Sequence, residues 1–354
     1  MCALTRQVFA GQPTPHRFVR GSNRESALEI ERIPNKTKDF DCGQVFLLIY
    51  QLREDLEPFM LSARRLSLMT CTFCTAIASA LLAQHSKVEA TWLHRYVPVL
   101  NERKNDLSST TCHYRPIFDA GGSENTLHTV TRFAEVTLDG GGHCQTVHYD
   151  HEEEIYFILK GSADLRYGDA AYPMRTNDFT YLAAGTKHSI ANDSKDDVQV
   201  LVMGFKIPPT VSIAAPSPTP KIVNLAELTE QTVEGHPTSV LYKLLIGPRT
   251  AKRDAINEAY VVADFFLMDF APGGTNSPHH HEAAEEIYLV LAGEGEMVAG
   301  GGMDGIEGRH PAKAGDAYYF RQNCTVGFYN QNKPGANAHI LAVRAKVQLP
   351  KDDD

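Results

Sequence analysis

The chain of 354 residues is long enough for one large domain or two ordinary ones, and 43% hydrophobic with 22% charged residues excludes a wholly disordered or collagen-like protein. The net charge of −9, from 34 basic and 43 acidic residues, argues against a nucleic-acid-binding protein and against a polybasic membrane-surface protein. Seven cysteines are too few for a disulfide scaffold of this length. The last three, Cys112, Cys144 and Cys324, are an odd number without metal-like spacing, and we predict buried thiols.

The first 83 residues differ in pattern from the rest and are predicted to be largely irregular. Met60 is followed by two arginines and an uncharged run, Leu66 to Ala83, that ends in small residues. This is the layout of a secretory signal peptide, so we predict a signal-peptide-like helix over 60–83 and interpret 1–59 as a non-native N-terminal extension. The alternatives are a buried helix or a single membrane anchor, although a membrane span needs about 20 apolar residues. We expect a secreted or periplasmic protein if Met60 is the true start, and otherwise a cytoplasmic one.

Residues 84–109 are predicted to form an N-terminal arm. From residue 110 onward, short runs rich in Val, Ile, Tyr and Phe alternate with glycine-rich turns, which is typical of β-strands. A Pro-rich linker over 207–221 separates a first domain of residues 110–206 from a second of residues 222–349. The predicted strands of the first domain are Val130–Leu138, Glu154–Leu159, Phe179–Leu182 and Val198–Phe205.

The second domain repeats the sequence of the first. Early matches stand at an offset of 131 or 132 residues and later ones at 138, which requires a one-residue and a six-residue insertion. The larger insertion is predicted in the glycine-rich segment Ala299–Arg309. Repeats of about 130 residues indicate a duplicated domain and not a solenoid. The matched pairs include Gly142 with Gly273, His148 with His279, Glu153 with Glu285, Glu154 with Glu286, Gly161 with Gly293 and Asn192 with Asn330.

The repeated motifs resemble those of the cupin superfamily. The pattern Gly273, five residues, His279-x-His281, four residues, Glu286, six residues, Gly293 fits the first cupin motif at every position. The resemblance implies a bicupin: an all-β protein with two tandem cupin barrels of the double-stranded β-helix or jelly-roll type. It also implies a divalent transition metal (Fe, Mn, Zn, Ni or Co) in each barrel with intact ligands, and a homo-oligomer. The second motif is matched in the first repeat by Asn177, Ala183, Gly185, His188 and Asn192, with Asn177 and Ala183 replacing the usual Gly and Pro.

The second repeat is predicted to hold a three-ligand metal site. His279 and His281 share one face of a strand, and Glu286 lies on the next strand. Two imidazoles and one carboxylate bind divalent transition metals, and three such ligands with open positions occur in non-haem iron oxygenases. Val326 stands where the second-motif histidine would be, so His339 is an alternative fourth ligand. The competing interpretations are a solvated polar turn and a decayed site in a structural barrel.

The first repeat is predicted to use a different ligand set. His148, Glu154 and His188 are in register with the motifs, and Asp150 stands where the second histidine is expected. His151 competes with Asp150 but has the opposite strand parity, so it would ligate only through a bulge. Two histidines and two carboxylates favour the harder Mn(II) or Fe(II). The alternative is an empty polar pocket in which His148 and Asp150 bond each other.

These observations favour a metal-dependent protein that acts on a small molecule. A dioxygenase-type oxidoreductase is the leading hypothesis because the second site has open coordination positions. The alternatives are a metal-dependent hydrolase, decarboxylase or isomerase of a small carboxylate or sugar acid, and a non-catalytic small-molecule-binding protein. We expect neither nucleic acid nor, in the mature form, a membrane as a partner.

Overall fold

The computed structural model describes residues 91–120, 127–301, 306–331 and 336–347. The predicted extension over 1–59 and the signal-like segment over 60–83 lie outside the described residues, and so do the first residues of the arm. Within the described ranges, no helix has both the length and the apolar character needed to cross a membrane.

The described residues form β-strands and two one-turn 3₁₀ helices, which confirms the all-β prediction. The strands up to the linker are β1 (Trp92–Tyr96), β2 (Cys112–Asp119), β3 (Val130–Leu138), β4 (Glu152–Lys160), β5 (Ser162–Tyr167), β6 (Ala170–Arg175), β7 (Asp178–Leu182), β8 (His188–Ala191) and β9 (Val198–Lys206). Those after it are β10 (Ile222–Asn224), β11 (Val240–Pro248), β12 (Ile256–Ala259), β13 (Val262–Phe270), β14 (His279–His280), β15 (Ala284–Ala292), β16 (Glu294–Gly301), β17 (Ile306–Lys313), β18 (Asp316–Phe320), β19 (Thr325–Asn330) and β20 (Ala338–Lys346).

Each repeat folds into one large and one small sheet. The large sheets have the orders β10-β7-β4-β9-β3-β2 and β1-β18-β15-β20-β13-β11-β12, and the small sheets β6-β5-β8 and β14-β19-β16-β17. The inner strands β7-β4-β9-β3-β2 and β18-β15-β20-β13-β11 follow the same antiparallel order, so the duplication seen in the sequence is also a duplication of topology. The second hairpin, β16–β17, spans 294–313 against 162–175 for β5–β6, which places the six-residue insertion where it was predicted.

The large sheets are buried on both faces. In β9, Val200 and Val202 face the interior of the first barrel, whereas Leu201 and Met203 face a hydrophobic layer shared with the second barrel. Successive side chains of a strand point to opposite faces, so a strand covered on both sides is a near-continuous apolar run. This explains why the strands were visible in the sequence as apolar stretches.

Two buried carboxylates join the barrels in a reciprocal way. Glu153 of β4 accepts hydrogen bonds from the backbone N–H groups of residues 260–262, which lead into β13 of the other barrel. Glu285 of β15 accepts from residues 128–130, which lead into β3, and all six bonds are 2.6–3.0 Å long. A buried carboxylate is stabilised by such charge-assisted bonds, so the repeated Glu-Glu pair has one glutamate for the interface and one for the barrel interior. The hydroxyls of Tyr181 and Tyr319 donate to Glu153 and Glu285, respectively, at 2.8 Å.

The strands that precede each barrel are exchanged between the two barrels. Strand β1 lies before the first barrel but pairs with β18 at the edge of the second, with His94 Nε2 2.9 Å from Asp316 Oδ1. Strand β10 follows the linker but pairs with β7 at the edge of the first barrel. Each large sheet is therefore completed by a strand from the segment before the other barrel.

All three cysteines are buried, as predicted, but Cys112 and Cys144 are not thiols. Cys112 at the start of β2 and Cys144 lie 5.0 Å apart between Cα atoms and form a disulfide across 32 residues. Neither the spacing nor the number of the cysteines could predict this disulfide, because it depends on the turn that brings residue 144 back to the start of β2. Cys324 is buried and retains its thiol, as predicted.

Candidate metal centre

The structure aligns the two repeats at an offset of 132, one residue away from the offset of 131 expected for the first motif. Gly141 and Gly273 both adopt a positive φ, 74° and 73°, and occupy the same turn. The sequence match used Gly142 because three glycines stand in a row at 140–142. With the corrected register, Val147 corresponds to His279 and Tyr149 to His281, whereas Glu154 still corresponds to Glu286.

In the second barrel, the three predicted ligands converge. His279 lies on β14, His281 follows that strand, and Glu286 is on β15; one ligand atom from each lies within 4.8 Å of the others. The Nδ1 of His279 is 2.8 Å from the carbonyl oxygen of Ser277, which leaves Nε2 as the acceptor. A metal-bound histidine typically donates its other ring N–H to such a carbonyl.

The protonation states of His279 and Glu286 suit a metal ion. Burial lowers the pKa of His279, so its imidazole is neutral and has a free lone pair. Burial alone would raise the pKa of Glu286, but His281 and Arg344 outweigh it and lower that pKa, so the carboxylate is ionised. Glu286 Oε2 is buried without a hydrogen bond among the described residues, and His281 Nε2 is 3.3 Å away. These residues therefore fit a divalent transition metal.

Charged side chains surround the triad. The Arg344 guanidinium lies 3.0 Å from Nδ1 of His281 and is paired with Asp264, which also binds Arg253. The triad and these side chains line a cavity of only about 50 Å³.

The expected position of a fourth ligand on the barrel wall is held by Val326, which lies directly opposite His279 in the β14–β19 pair, as the sequence comparison placed it, and cannot coordinate. The predicted alternative, His339 on β20, is half-buried and lies 3.5 Å from Asp269, outside the triad.

In the first barrel, the structure brings together only two of the four predicted ligands. Glu154 and His188 are buried, and their Oε2 and Nε2 atoms are 2.6 Å apart. His148 and Asp150 point into solvent, with side chains 49% and 80% exposed, and bond each other at 2.9 Å. His151 is also exposed, so it does not replace Asp150. The one-residue change of register is the physical reason, because it turns both side chains to the outer face of the chain.

Arg132 fills the interior of the first barrel. Its Nε lies 3.2 Å from Glu152 Oε1 and 3.7 Å from Glu154 Oε1, and its guanidinium stands 4.7 Å over the ring of Tyr149. Burial would lower the pKa of His188, but Glu154 raises it overall, so this imidazole tends to keep its proton and offers no lone pair. No group of three ligands forms in the first barrel among the described residues. Glu154 and His188 have buried atoms without hydrogen bonds, as Glu286 does, but without a third ligand the first barrel fits a divalent metal less well than the second.

A family model described as a cupin domain matches residues 134–204 and again residues 266–343. The chain carries two cupin domains in tandem. The matched segments begin 132 residues apart, at the offset of the first-motif turn, and end 139 residues apart, after the longer hairpin of the second repeat, so the family match and the structure agree on the repeat.

Solved structures of similar proteins support the bicupin fold. A Pseudomonas aeruginosa protein provisionally named as glyoxylate-induced aligns with TM-score 0.59 and 13% identity over 74% of this chain and 91% of its own. Protein Ylba from E. coli aligns with TM-score 0.55 and 15% identity, covering 77% and 98%. A Lactobacillus farciminis oxalate decarboxylase in complex with formate aligns with TM-score 0.53 and 14% identity, covering 75% and 88%. At such identities the likeness shows the fold alone. No curated protein matches the chain by sequence.

Sequence reasoning missed three residues of the two interiors: Arg132, Arg344 and His236. The sequence did contain a signal for the two arginines. Arg132 and Arg344 are each the one arginine in a largely apolar strand, β3 and β20 respectively. His236 stands in a loop with no periodic pattern, and only the fold brings it to the cavity of the second domain.

Proposed function

We propose that the second cupin domain holds a divalent transition metal at His279, His281 and Glu286 and acts there on a small anionic molecule. The observation that carries the proposal is the convergence of these three ligand atoms within 4.8 Å, with His279 neutral and Glu286 ionised. When bound, such a metal supplies a Lewis acid that polarises and orients the substrate, and three protein ligands leave positions open for it.

The arginines of the cavity support an anionic substrate. Arg344 stands beside His281, where a carboxylate that approached the metal would meet its guanidinium. Arginine binds carboxylates with two parallel N–H donors, which fixes orientation as well as charge. Asp264 positions Arg344 from the neighbouring strand β13. The cavity of about 50 Å³ is far smaller than the ~300–1,000 Å³ typical of sites for larger ligands, so the substrate has few atoms.

The reaction class that we favour is oxygen-dependent oxidation by a dioxygenase-type oxidoreductase. Support comes from the two-histidine, one-carboxylate set, which leaves adjacent positions for substrate and oxygen. Decarboxylation of a small carboxylate is the second candidate. It is favoured by the small cavity with its arginine, and the fold is shared with an oxalate decarboxylase solved with formate.

The test is to load the protein with Fe(II) or Mn(II) and to follow oxygen consumption and carbon dioxide release with a series of small mono- and dicarboxylates. Oxygen uptake supports the oxidation, whereas carbon dioxide release without uptake supports decarboxylation. His281→Ala should abolish turnover with either metal. His280→Ala is the matched control, because its side chain is 57% exposed next to the site. If neither gas changes with any carboxylate, or if His281→Ala is as active as His280→Ala, the proposal is overturned.

We further propose that the protein is exported, with translation starting at Met60. The Cys112–Cys144 disulfide supports an oxidising compartment, where such bonds form and persist. N-terminal sequencing of the protein produced from its own gene region tests this. A mature N-terminus near Gln84 is expected, and recovery of residues 1–59 in the folded product would contradict it.

A further inference from the structure

His236 lies over the mouth of the second barrel, outside both cupin motifs. It belongs to the loop between β10 and β11 and lines the same cavity as the triad. Its ring is half-buried and stands 5.1 Å from the ring of His279, centre to centre, at 77°. The rings of His279 and His281 are 4.9 Å apart at 82°. The ring separation and angle of the His236–His279 pair thus match those of the His279–His281 pair, although His236 is not in the group of ligand atoms that lie within 4.8 Å of one another.

These distances are those of imidazoles that share one ion. With metal–nitrogen bonds of about 2.0–2.1 Å and tetrahedral directions, the ring centres of two ligating histidines lie about 5 Å apart. Both observed separations, 5.1 and 4.9 Å, agree with this value.

The ring of His236 is held by its other nitrogen. Nδ1 lies 3.0 Å from the carbonyl oxygen of Asn276, so it acts as the donor and leaves Nε2 with its lone pair. Asn276 is itself fixed, since its side chain donates to the hydroxyl of Tyr288 at 3.1 Å and accepts from the N–H of Phe328 at 2.9 Å. His279 is oriented in the same manner by the carbonyl of Ser277. An N–H bonded to a backbone carbonyl is the typical support of a metal-ligating histidine.

The corresponding loop of the first barrel has no histidine. Arg103 N–H bonds to Tyr114 as Gln231 N–H bonds to Tyr242, which aligns the two loops at an offset of 128. Ser108 then corresponds to His236, and its hydroxyl bonds within the loop to Asn105. The imidazole is thus specific to the barrel that has the triad.

We propose that Nε2 of His236 is a fourth protein ligand of the metal in the second domain and replaces the histidine that Val326 displaced from the barrel wall. This inference rests on the metal site proposed above. A ligand on a loop differs from one on a strand, because movement of the loop can withdraw it and free a coordination position for substrate without disturbing the three ligands of the sheet.

The experiment uses the full chain and Co(II) as the probe, with affinity from competition against a chelating dye and coordination from the visible absorption of the bound ion. His236→Ala should lower the affinity at least about tenfold, the minimum cost of losing even an indirect support. It should also change the Co(II) spectrum, and added imidazole should restore it. His280→Ala is the control for the loss of a nearby imidazole and should bind as the unmutated chain does.

A second variant distinguishes the loss of a ligand in His236→Ala from a loss of folding. In His236→Ala/Val326→His, a histidine returns to the wall opposite His279, and affinity should recover. Equal affinity and identical spectra in His236→Ala and His280→Ala would overturn the inference and leave the triad intact. Absence of Co(II) binding by the unmutated chain would instead overturn the metal site itself.

Discussion

The first barrel has Val147 and Tyr149 where the second has His279 and His281, and the second has Val326 where the first has His188. Each domain thus lacks the ligands that the other has at matching positions, although both have the glutamate on the central strand. In both barrels this buried glutamate faces positive charge. In the first, Glu154 lies 2.6 Å from the imidazole of His188, whose pKa it raises, and 3.7 Å from Nε of Arg132. In the second, we propose a metal ion beside Glu286.

The arginines reach these glutamates from different strands. In the first barrel, one row across the sheet places Arg132, Gly204 and Glu154 side by side; in the second, the same row holds Asp264, Arg344 and Glu286. A Cβ on Gly204 would lie 2.3 Å from Glu152 Oε1 and 2.9 Å from Cγ of Arg132, so the glycine leaves room for the arginine of β3. In the second barrel Arg344 pairs with Asp264. The Oε2 atom of Glu286 has no hydrogen bond among the described residues, and the same is true of both carboxylate oxygens of Glu154.

The largest expected difference between the barrels is in metal affinity. Glu286→Gln removes a charged ligand and should lower metal affinity roughly 100-fold or more, above the 10–100-fold cost of an indirect support. Glu154→Gln, its counterpart in the first barrel, should leave metal content unchanged. Mass spectrometry of the metal-loaded chains measures both. A loss of metal in Glu154→Gln would show that the first barrel also binds an ion.

The next difference is in the free energy of unfolding. Arg132→Met leaves Glu152 without its cation and Glu154 with His188 alone, and it should cost about 3–5 kcal/mol, as for the breaking of a buried ion pair. Arg344→Met should cost less, because Asp264 keeps Arg253 as a partner. Urea unfolding of the two variants in metal-free buffer compares them. Equal losses would refute a special structural role for Arg132.

The disulfide is a further difference, since Val240 and Asn276 stand in the second domain where Cys112 and Cys144 stand in the first. Replacing both cysteines by alanine should lower the free energy of unfolding by about 3–4 kcal/mol for a loop of this size. Cys324→Ala serves as the control variant. Thermal unfolding with and without a reductant checks the assignment: the reductant should destabilise the control and leave the double variant unchanged. An unfolding curve of the control that does not respond to the reductant would contradict the bond.

The smallest expected effect is a pH dependence confined to the first barrel. Burial raises the pKa of Glu152 to about 7, and its counterpart in the second barrel is Ala284. The folded state then binds a proton that the unfolded state releases near pH 4.5, so stability is fully present below that pH and falls as the pH rises to about 7. The loss is at most about 3 kcal/mol. Glu152→Gln should flatten this part of a pH series of urea midpoints; an unchanged slope would rule out Glu152 as its source.

The fold was predictable from the sequence because the large-sheet strands are buried on both faces, so runs such as Val198–Phe205 are apolar throughout. The triad of the second domain was predictable too, since the spacing between Gly273 and Glu286 fits the first cupin motif at every position and allows one register. The first site was not. Three successive glycines allowed two registers, and a difference of one residue in a strand moves every side chain to the other face.

Other features depended on contacts that only the folded chain provides. Arg132 could be seen as a charge in an apolar strand, but its place in the barrel interior depends on the room left by Gly204. The cysteine pairing and the approach of His236 to the triad each depend on a loop returning to a distant strand. The spacing of residues in the sequence does not predict such contacts between a loop and a distant strand.

The exchange of β1 and β10 between the barrels has a consequence for synthesis. His94 of β1 pairs with Tyr318 of β18, more than 220 positions later in the chain. At about 5–20 residues per second, the ribosome delivers the partner strand roughly 10–45 s after β1. Through that interval the first barrel lacks β10 for part of the time, and β1 has no sheet to join until β18 of the second barrel has been made.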